Sequence, residues 1–248
     1  MIELKNKEQI QIMRRAGAIV AETLQLTREM VRAGVTTGEL DRAAEEYIIK
    51  QGAVPAFKGY DGFPATLCTS VNEEVVHGIP GSRKLCEGDI ISIDCGAIYK
   101  GYCGDAAITA PVGEIDAERQ RLLDVCAEAL ARGIAQARPD KRLFDVSSAV
   151  QVYVEENGMS VVRDYVGHGI GRNMHEDPQV PNFGRPGRGP RLTRGMVIAI
   201  EPMVNLGGYQ VETLGNNWTV ATADRRPSAH FEHTVAITED GPEILTKV

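Results

Sequence analysis

Asp94 and Asp105 stand eleven residues apart on what reads as one β-hairpin, within the ordered series His77, Asp94, Asp105, His168, His175, Glu201, Glu232. Asp89-Ile90-Ile91-Ser92-Ile93-Asp94 is a β-branched run ending on a carboxylate, and Cys103-Gly104-Asp105-Ala106-Ala107-Ile108 returns after Tyr99-Lys100-Gly101-Tyr102. A turn at Tyr99-Lys100 sets the two carboxylates directly opposite one another; a turn at Lys100-Gly101 sets them diagonally. They share a face either way, because side chains alternate with a period of two. Like charges on adjacent strands repel, and burying such a pair costs more still. Neither strand carries a Lys or Arg, so a cation is the expected partner.

Two glutamates extend the pattern. Met196-Val197-Ile198-Ala199-Ile200 leads a buried strand into Glu201 and Pro202, and Ala229-His230-Phe231-Glu232-His233-Thr234-Val235 embeds Glu232 in a hydrophobic strand. A glutamate so placed is rare unless paired. His168 lies between Gly167 and Gly169, which are expected to give the backbone open conformations and leave the imidazole unobstructed. His77 and His175 also fall in Gly-rich or turn contexts, whereas His230 and His233 read as structural. Four carboxylates and one imidazole exceed what one divalent ion needs. Two ions roughly 3.5–4 Å apart, bridged by carboxylates and a water, would neutralise them and make hydroxide available near neutral pH. Oxygen-rich ligands favour Mn²⁺, Fe²⁺ or Co²⁺ over a closed structural zinc site. The chemistry expected is metal-assisted hydrolysis.

The elements that must position these groups follow from periodicity. Ile10, Met13, Gly17, Val20, Leu24 and Val31 keep helical spacing, predicting a helix over residues 5–32. Thr36-Thr37-Gly38-Glu39 is a capping box opening a second helix that Gly52 stops. Strands and turns follow to about Val112. A third helix spans about residues 116–137, and a fourth follows Pro139-Asp140 and ends at Asn157-Gly158. Strands are predicted again around 161–166, 196–201, 209–213, 218–222 and 230–238. The order helix, capped helix, strands therefore occurs twice, and Tyr47…Gln51-Gly52 and Tyr153…Asn157-Gly158 stand 106 residues apart. One α+β domain with pseudo-twofold halves of about 1–115 and 116–248 is the expected organisation.

Bulk numbers narrow the class. Of 248 residues, 43% are apolar and 25% charged, ordinary for a globular protein. No apolar run approaches a membrane span, and Met1-Ile2-Glu3-Leu4-Lys5-Asn6-Lys7-Glu8 has no signal-peptide core. Five cysteines without a CxxC pair predict neither disulfides nor a zinc ribbon, so a reducing cytoplasm is expected. A net charge of −7 argues against general nucleic-acid binding. The Gly-, Pro- and Arg-rich stretch 182–191 reads as a solvated surface loop, with docking of 184–191 to ribosomal RNA as the alternative.

Asp94, Asp105, His168, Glu201 and Glu232 in order, Gly167-His168-Gly169-Ile170-Gly171 followed by His175, and Ile200-Glu201-Pro202-Met203 resemble type I methionine aminopeptidases of the bacterial kind, through essentially the whole chain. The resemblance implies the pita-bread (creatinase/aminopeptidase-like) fold, a curved antiparallel sheet with outer helices. It implies two divalent metal ions (cobalt, manganese, iron or zinc), one chelated by Asp94, the other held by His168 and Glu201, with Asp105 and Glu232 bridging. Glu201 would double as a proton shuttle, and His77 and His175 would position the scissile amide. The methionine pocket would be Tyr60, Phe63, Cys68, His77 and Trp218, with Phe57 and Met174 at its rim. The substrate implied is the N-terminus of a nascent polypeptide with a small second residue, met by a monomer near the ribosome.

Phe57, Met174 and Ala199 depart from the commoner family pattern, but none is an expected ligand. Rival readings are an X-Pro aminopeptidase or prolidase, and a metal-free binding module on the same fold. The first carries an extra N-terminal domain for which the helix beginning near Met1 leaves no room. The second loses ligands, and all five are present. Thirty residues between Glu201 and Glu232 leave no space for the helical insertion of type II enzymes.

Overall fold

The computed structural model describes residues 1–247. Helix α1 (Lys7–Met30) starts where Asn6 and Gln9 cap each other's backbone N–H, satisfying two donors that the first turn leaves free. It begins two residues later than its periodicity predicts, because Asn6 stays extended, with ψ of 176°, as the N-cap. Helix α2 (Thr37–Lys50) opens on the Thr36/Glu39 capping box and stops at Gly52, whose φ of 73° suits glycine. Strands β1 (Val54–Pro55), β2 (Leu67–Val71) and β3 (Glu74–Val76) lead into the long hairpin of β4 (Ile90–Tyr99) and β5 (Tyr102–Pro111).

That hairpin turns on Lys100 and Gly101, with φ of 48° and 76°. Positive φ at both central residues matches the right-handed twist of the flanking strands. Tyr99 therefore pairs with Tyr102, Asp94 with Ala107 and Gly96 with Asp105. The two aspartates are diagonal on one face.

The order then repeats. Asp116 caps α3 (Ala117–Gln136), and α4 (Leu143–Glu156) ends at Asn157 and Gly158. The strands that follow are β6 (Ser160–Val161), β7 (Gly167–Gly169), β8 (Glu176–Val180), β9 (Val197–Ile200) and β10 (Met203–Asn205). After them come β11 (Val211–Thr213), β12 (Val220–Thr222), β13 (Ser228–His230), β14 (Glu232–Thr238) and β15 (Gly241–Ile244). The strand predicted over 161–166 is confined to its first residue and the one before it. β7 and β8 fall where glycines and charges hid the alternation.

Nine strands form one antiparallel sheet in the order β1-β4-β5-β14-β9-β7-β8, with β2 added on β4 and β15 on β14. Helices α1 and α2 bury Ile19, Val20, Leu40 and Ile48 with Ile91 and Ile93 of the sheet. Helix α3 places Leu130 and Ile134 against Ile198, Ile200 and Val235, together with Val146 of α4. Close approach is built in at one point: a Cβ on Gly104 of β5 would lie 2.7 Å from Gly17 N of α1. Five adjacent strands, β4-β5-β14-β9-β7, thus bring the carboxylates and His168 side by side. The 182–191 loop is exposed only at 185–188 and 191. Its ends are tied down, with Asn182 buried and Gly184 and Gly189 lying against Phe144.

Candidate active site

Asp94 (β4), Asp105 (β5), His168 (β7), Glu201 (directly after β9) and Glu232 (β14) all line one cavity of about 200 Å³. Single ligand atoms of Asp105, His168 and Glu232 lie within 4.8 Å of one another. His168 Nε2 is 3.5 Å from Glu201 Oε1 and 3.8 Å from Asp105 Oδ2. Asp94 Oδ1, Asp105 Oδ1 and Glu232 Oε1 are buried without a hydrogen-bond partner among the described residues. Buried oxygens are almost always paired. Three orphans converging beside an imidazole fit divalent cations.

The imidazole is set for that role. His168 Nδ1 lies 3.0 Å from Gly169 O; with the proton on Nδ1, the Nε2 lone pair faces the carboxylates, the arrangement usual for a metal-ligating histidine. Its flanking glycines serve close strand approach rather than open conformations. A Cβ on Gly167 would meet Ala199 O at 2.4 Å, and one on Gly169 would meet Asp177 O at 2.0 Å. Asp105 is clamped by a buried threonine: Thr234 Oγ1 donates to Asp105 O at 2.7 Å and accepts from Asp105 N–H at 3.1 Å. Asn182 donates to Glu201 O at 3.0 Å.

Burial, reinforced for Asp105, Glu201 and Glu232 by neighbouring carboxylates, shifts every acid in the cluster. Asp94 is pushed up to about 7, and the other three rise well above their ordinary values. Burial pushes His77 and His168 down to about 4 and His230 to about 3, and lowers His175. The imidazoles are therefore neutral, the form that ligates metal. Cations among the carboxylates offset both desolvation and repulsion.

The wall is aromatic and soft. Phe63 meets Trp218 edge-on at 5.1 Å, and Cys68 sits opposite Asp94 on β2. Burial raises the Cys68 thiol well above its usual value, keeping it a polarizable neutral surface. Tyr60, at the mouth, is hydrogen-bonded through its hydroxyl to His175 Nδ1 at 2.7 Å. His175 packs edge-on to His168 at 4.4 Å. His77 holds a left-handed backbone, φ 59°, where Gly78 must approach Thr69 so closely that a Cβ would lie 2.0 Å from its carbonyl oxygen. All thirteen expected ligand, catalytic, pocket and rim positions except Met174 line the cavity or its mouth; Met174 is instead buried over Gly96 with Ala56, Cys103 and Phe57.

Two residues escaped the sequence reading. Asp61 lines the mouth with a φ of 48° between Gly59 and Gly62, and those bracketing glycines are the signal it leaves. His230, read as structural, has Nε2 3.8 Å from Glu201 Oε2. His233 keeps the structural role, with Nδ1 2.9 Å from Thr246 Oγ1. A larger groove of about 640 Å³ beside the start of α1 is lined by paired charges such as Arg14 with Glu243, and gathers no such cluster.

Residues 11–239 match the model of metallopeptidase family M24. The chain is 60% identical over 248 residues to methionine aminopeptidase of Clostridium perfringens and 56% identical to methionine aminopeptidase 1 of Bacillus subtilis, covering all of each. The crystal structure of methionine aminopeptidase from Thermotoga maritima superposes with a TM-score of 0.99 at 48% identity, over the whole of both chains. The prolidase from Pyrococcus horikoshii shares the fold alone, with a TM-score of 0.81 at 24% identity over 63% of its length. The architecture is the expected pita-bread fold. No helix among the described residues is long and apolar enough to cross a membrane. The chain belongs to the methionine aminopeptidases of metallopeptidase family M24, and so works with divalent metal.

Proposed function

We propose that the whole chain, residues 1–248, acts as one catalytic unit that removes the N-terminal methionine from nascent polypeptides with a small second residue. The observation that carries this is the set of three orphaned carboxylate oxygens at the floor of a cavity walled by Phe63, Cys68 and Trp218. Asp94 would hold one of two ions, His168 and Glu201 the other, and Asp105 and Glu232 both. When bound, such ions supply a water activated near neutral pH and polarise the scissile carbonyl.

The side chains do the rest. Phe63 and Trp218 clasp the linear thioether, and Cys68 offers it a polarizable contact. The acidic floor favours a free ammonium and disfavours a blocked N-terminus. His175, its Nδ1 engaged by Tyr60, has Nε2 left to bond the amide being cleaved. His77 lines the same cavity and holds that amide from its own wall. Glu201 takes a proton from the attacking water and returns it to the leaving amine. The protein would act in the cytoplasm, as a monomer, on chains leaving the ribosome, because nascent polypeptides are where a free N-terminal methionine followed by a small residue is first exposed.

The test is to strip metal with a chelator, restore Mn²⁺, Fe²⁺ or Co²⁺ singly, and follow methionine release from Met-Ala-Ser beside cleavage of an Ala-Pro peptide. Restored release from Met-Ala-Ser alone is expected. Comparable cleavage of the Ala-Pro peptide would move the chain to the prolidase-like activity.

A further inference from the structure

Glu201 lies between two imidazoles, one to each oxygen. Oε1 is 3.5 Å from His168 Nε2 and Oε2 is 3.8 Å from His230 Nε2. The histidines differ in their other contacts. His168 has Nδ1 engaged by Gly169 O, which leaves its Nε2 as an acceptor. His230 Nε2 is buried with no hydrogen-bond partner among the described residues, and an orphaned polar atom in a core is costly unless used.

The backbone of His230 is fixed tightly. Its N–H donates to Thr109 Oγ1 at 2.9 Å, and Thr109 Oγ1 donates to its carbonyl at 2.8 Å. Thr109 is in turn bonded to Ser92 at 2.9 Å, and His230 pairs with Met203 across β10 and β13. With the backbone fixed and the ring buried, a small turn of the Glu201 carboxylate is the simplest way for the two to meet. Less than about 1 Å of movement brings the pair into the ordinary N–H···O range of about 2.7–3.2 Å.

We propose that His230 is a positioning residue for Glu201: its Nε2–H donates to Oε2 and fixes the carboxylate plane, keeping Oε1 directed to the side shared with His168. This rests on the reading of Glu201 as ligand and proton carrier. A carboxylate free to rotate would share its two oxygens between those tasks at random, whereas one held through Oε2 presents the same oxygen every time. Outer partners of this kind typically govern metal affinity or activity by about 10–100-fold.

The experiment compares His230→Leu, which removes the donor, with His230→Gln, which retains one. Mn²⁺ affinity is measured by calorimetric titration of chelator-stripped protein, and kcat and KM are measured on Met-Ala-Ser. His230→Leu should weaken Mn²⁺ binding and lower kcat by about 10–100-fold each, with KM changed less than about threefold. His230→Gln should recover both to within about threefold of the unmodified chain. Equal behaviour of the two variants, whether both unimpaired or both impaired, overturns the proposal. Should His230→Leu lose its cooperative unfolding transition, His230→Met takes its place in the same comparison. Failure of the underlying reading looks different: the unmodified chain would bind Mn²⁺ yet release no methionine.

Discussion

Asp94 and Asp105 are diagonal neighbours on one face of the β4–β5 hairpin, with Ala107 opposite the first and Gly96 opposite the second. Directly opposed residues have Cβ atoms about 4.5–5.5 Å apart, and diagonal ones about 7–8 Å. The Lys100-Gly101 turn, by setting that register, places the two carboxylates on a diagonal where their side chains still reach one another, so that cations or a shared proton must offset their repulsion. Glu232, opposite Ala107 on the other side of β5, closes the same face.

Replacing Glu232 with alanine should therefore abolish methionine release and lower metal stoichiometry while circular dichroism shows the fold intact. Elemental analysis of the purified variant checks it. Full turnover at low metal concentration would contradict a bridging role.

His77→Ala and His175→Ala should each lower kcat by roughly 10²-fold or more, as expected on removing a proton-transfer or charge-stabilising partner, with metal content near that of the unmodified chain. Loss of metal from both variants would place these histidines among the ligands.

Chelator-treated protein should lose stability as pH rises from 6.5 to 8. Asp94 at about 7, and Asp105, Glu201 and Glu232 held well above their ordinary values by burial and neighbouring carboxylates, keep protons in the folded state that the unfolded chain has already released. Groups with raised folded values stabilise below their unfolded values and cease to as pH climbs through the folded ones. Each retained proton contributes a slope of about −1.4 kcal/mol per pH unit. The histidines, depressed by burial, oppose this only below about 6.5. Thermal melts with and without Mn²⁺ check it: added metal should raise Tm more at pH 8 than at pH 6.5.

Lys5→Met should destabilise the chain by about 3–5 kcal/mol, the usual cost of leaving a buried charge without its partner. Lys5 Nζ donates to the Glu176 carboxylate, and both side chains are buried. Because Glu176 follows His175, kcat should fall too. Urea denaturation should show most of the stability returning in the Lys5→Met, Glu176→Gln double variant.

Much of the site was legible because hydrophobic strands expose what does not belong in them. Asp94, Glu201 and Glu232 each interrupt or end such a run, and the capping box at Thr36 marks where the second helix begins. What escaped depends on contacts between distant segments. Gly167 and Gly169 owe their identity to Ala199 and Asp177 on neighbouring strands, which no local pattern around His168 contains. The clamps of Thr234 on Asp105 and Thr109 on His230 join residues more than a hundred positions apart. His230 did leave a trace: it shares the parity of Glu232, so alternation places it toward the site face, unlike His233. Asp61 sits in a turn, where periodicity says nothing.

The central claim is that this cavity reads a free methionine followed by a small residue. It is tested by kcat/KM on Met-Ala-Ser, norleucine-Ala-Ser, Met-Lys-Ser and acetyl-Met-Ala-Ser. Replacing the thioether sulfur with a methylene in a hydrophobic pocket should cost no more than the ~1–3 kcal/mol typical of a single-methylene change, so norleucine should be released at a measurable rate. Met-Lys-Ser and the acetylated peptide should be refused, the first for bulk beside His77 and His175, the second for want of an ammonium. Comparable kcat/KM on all four peptides would contradict the account.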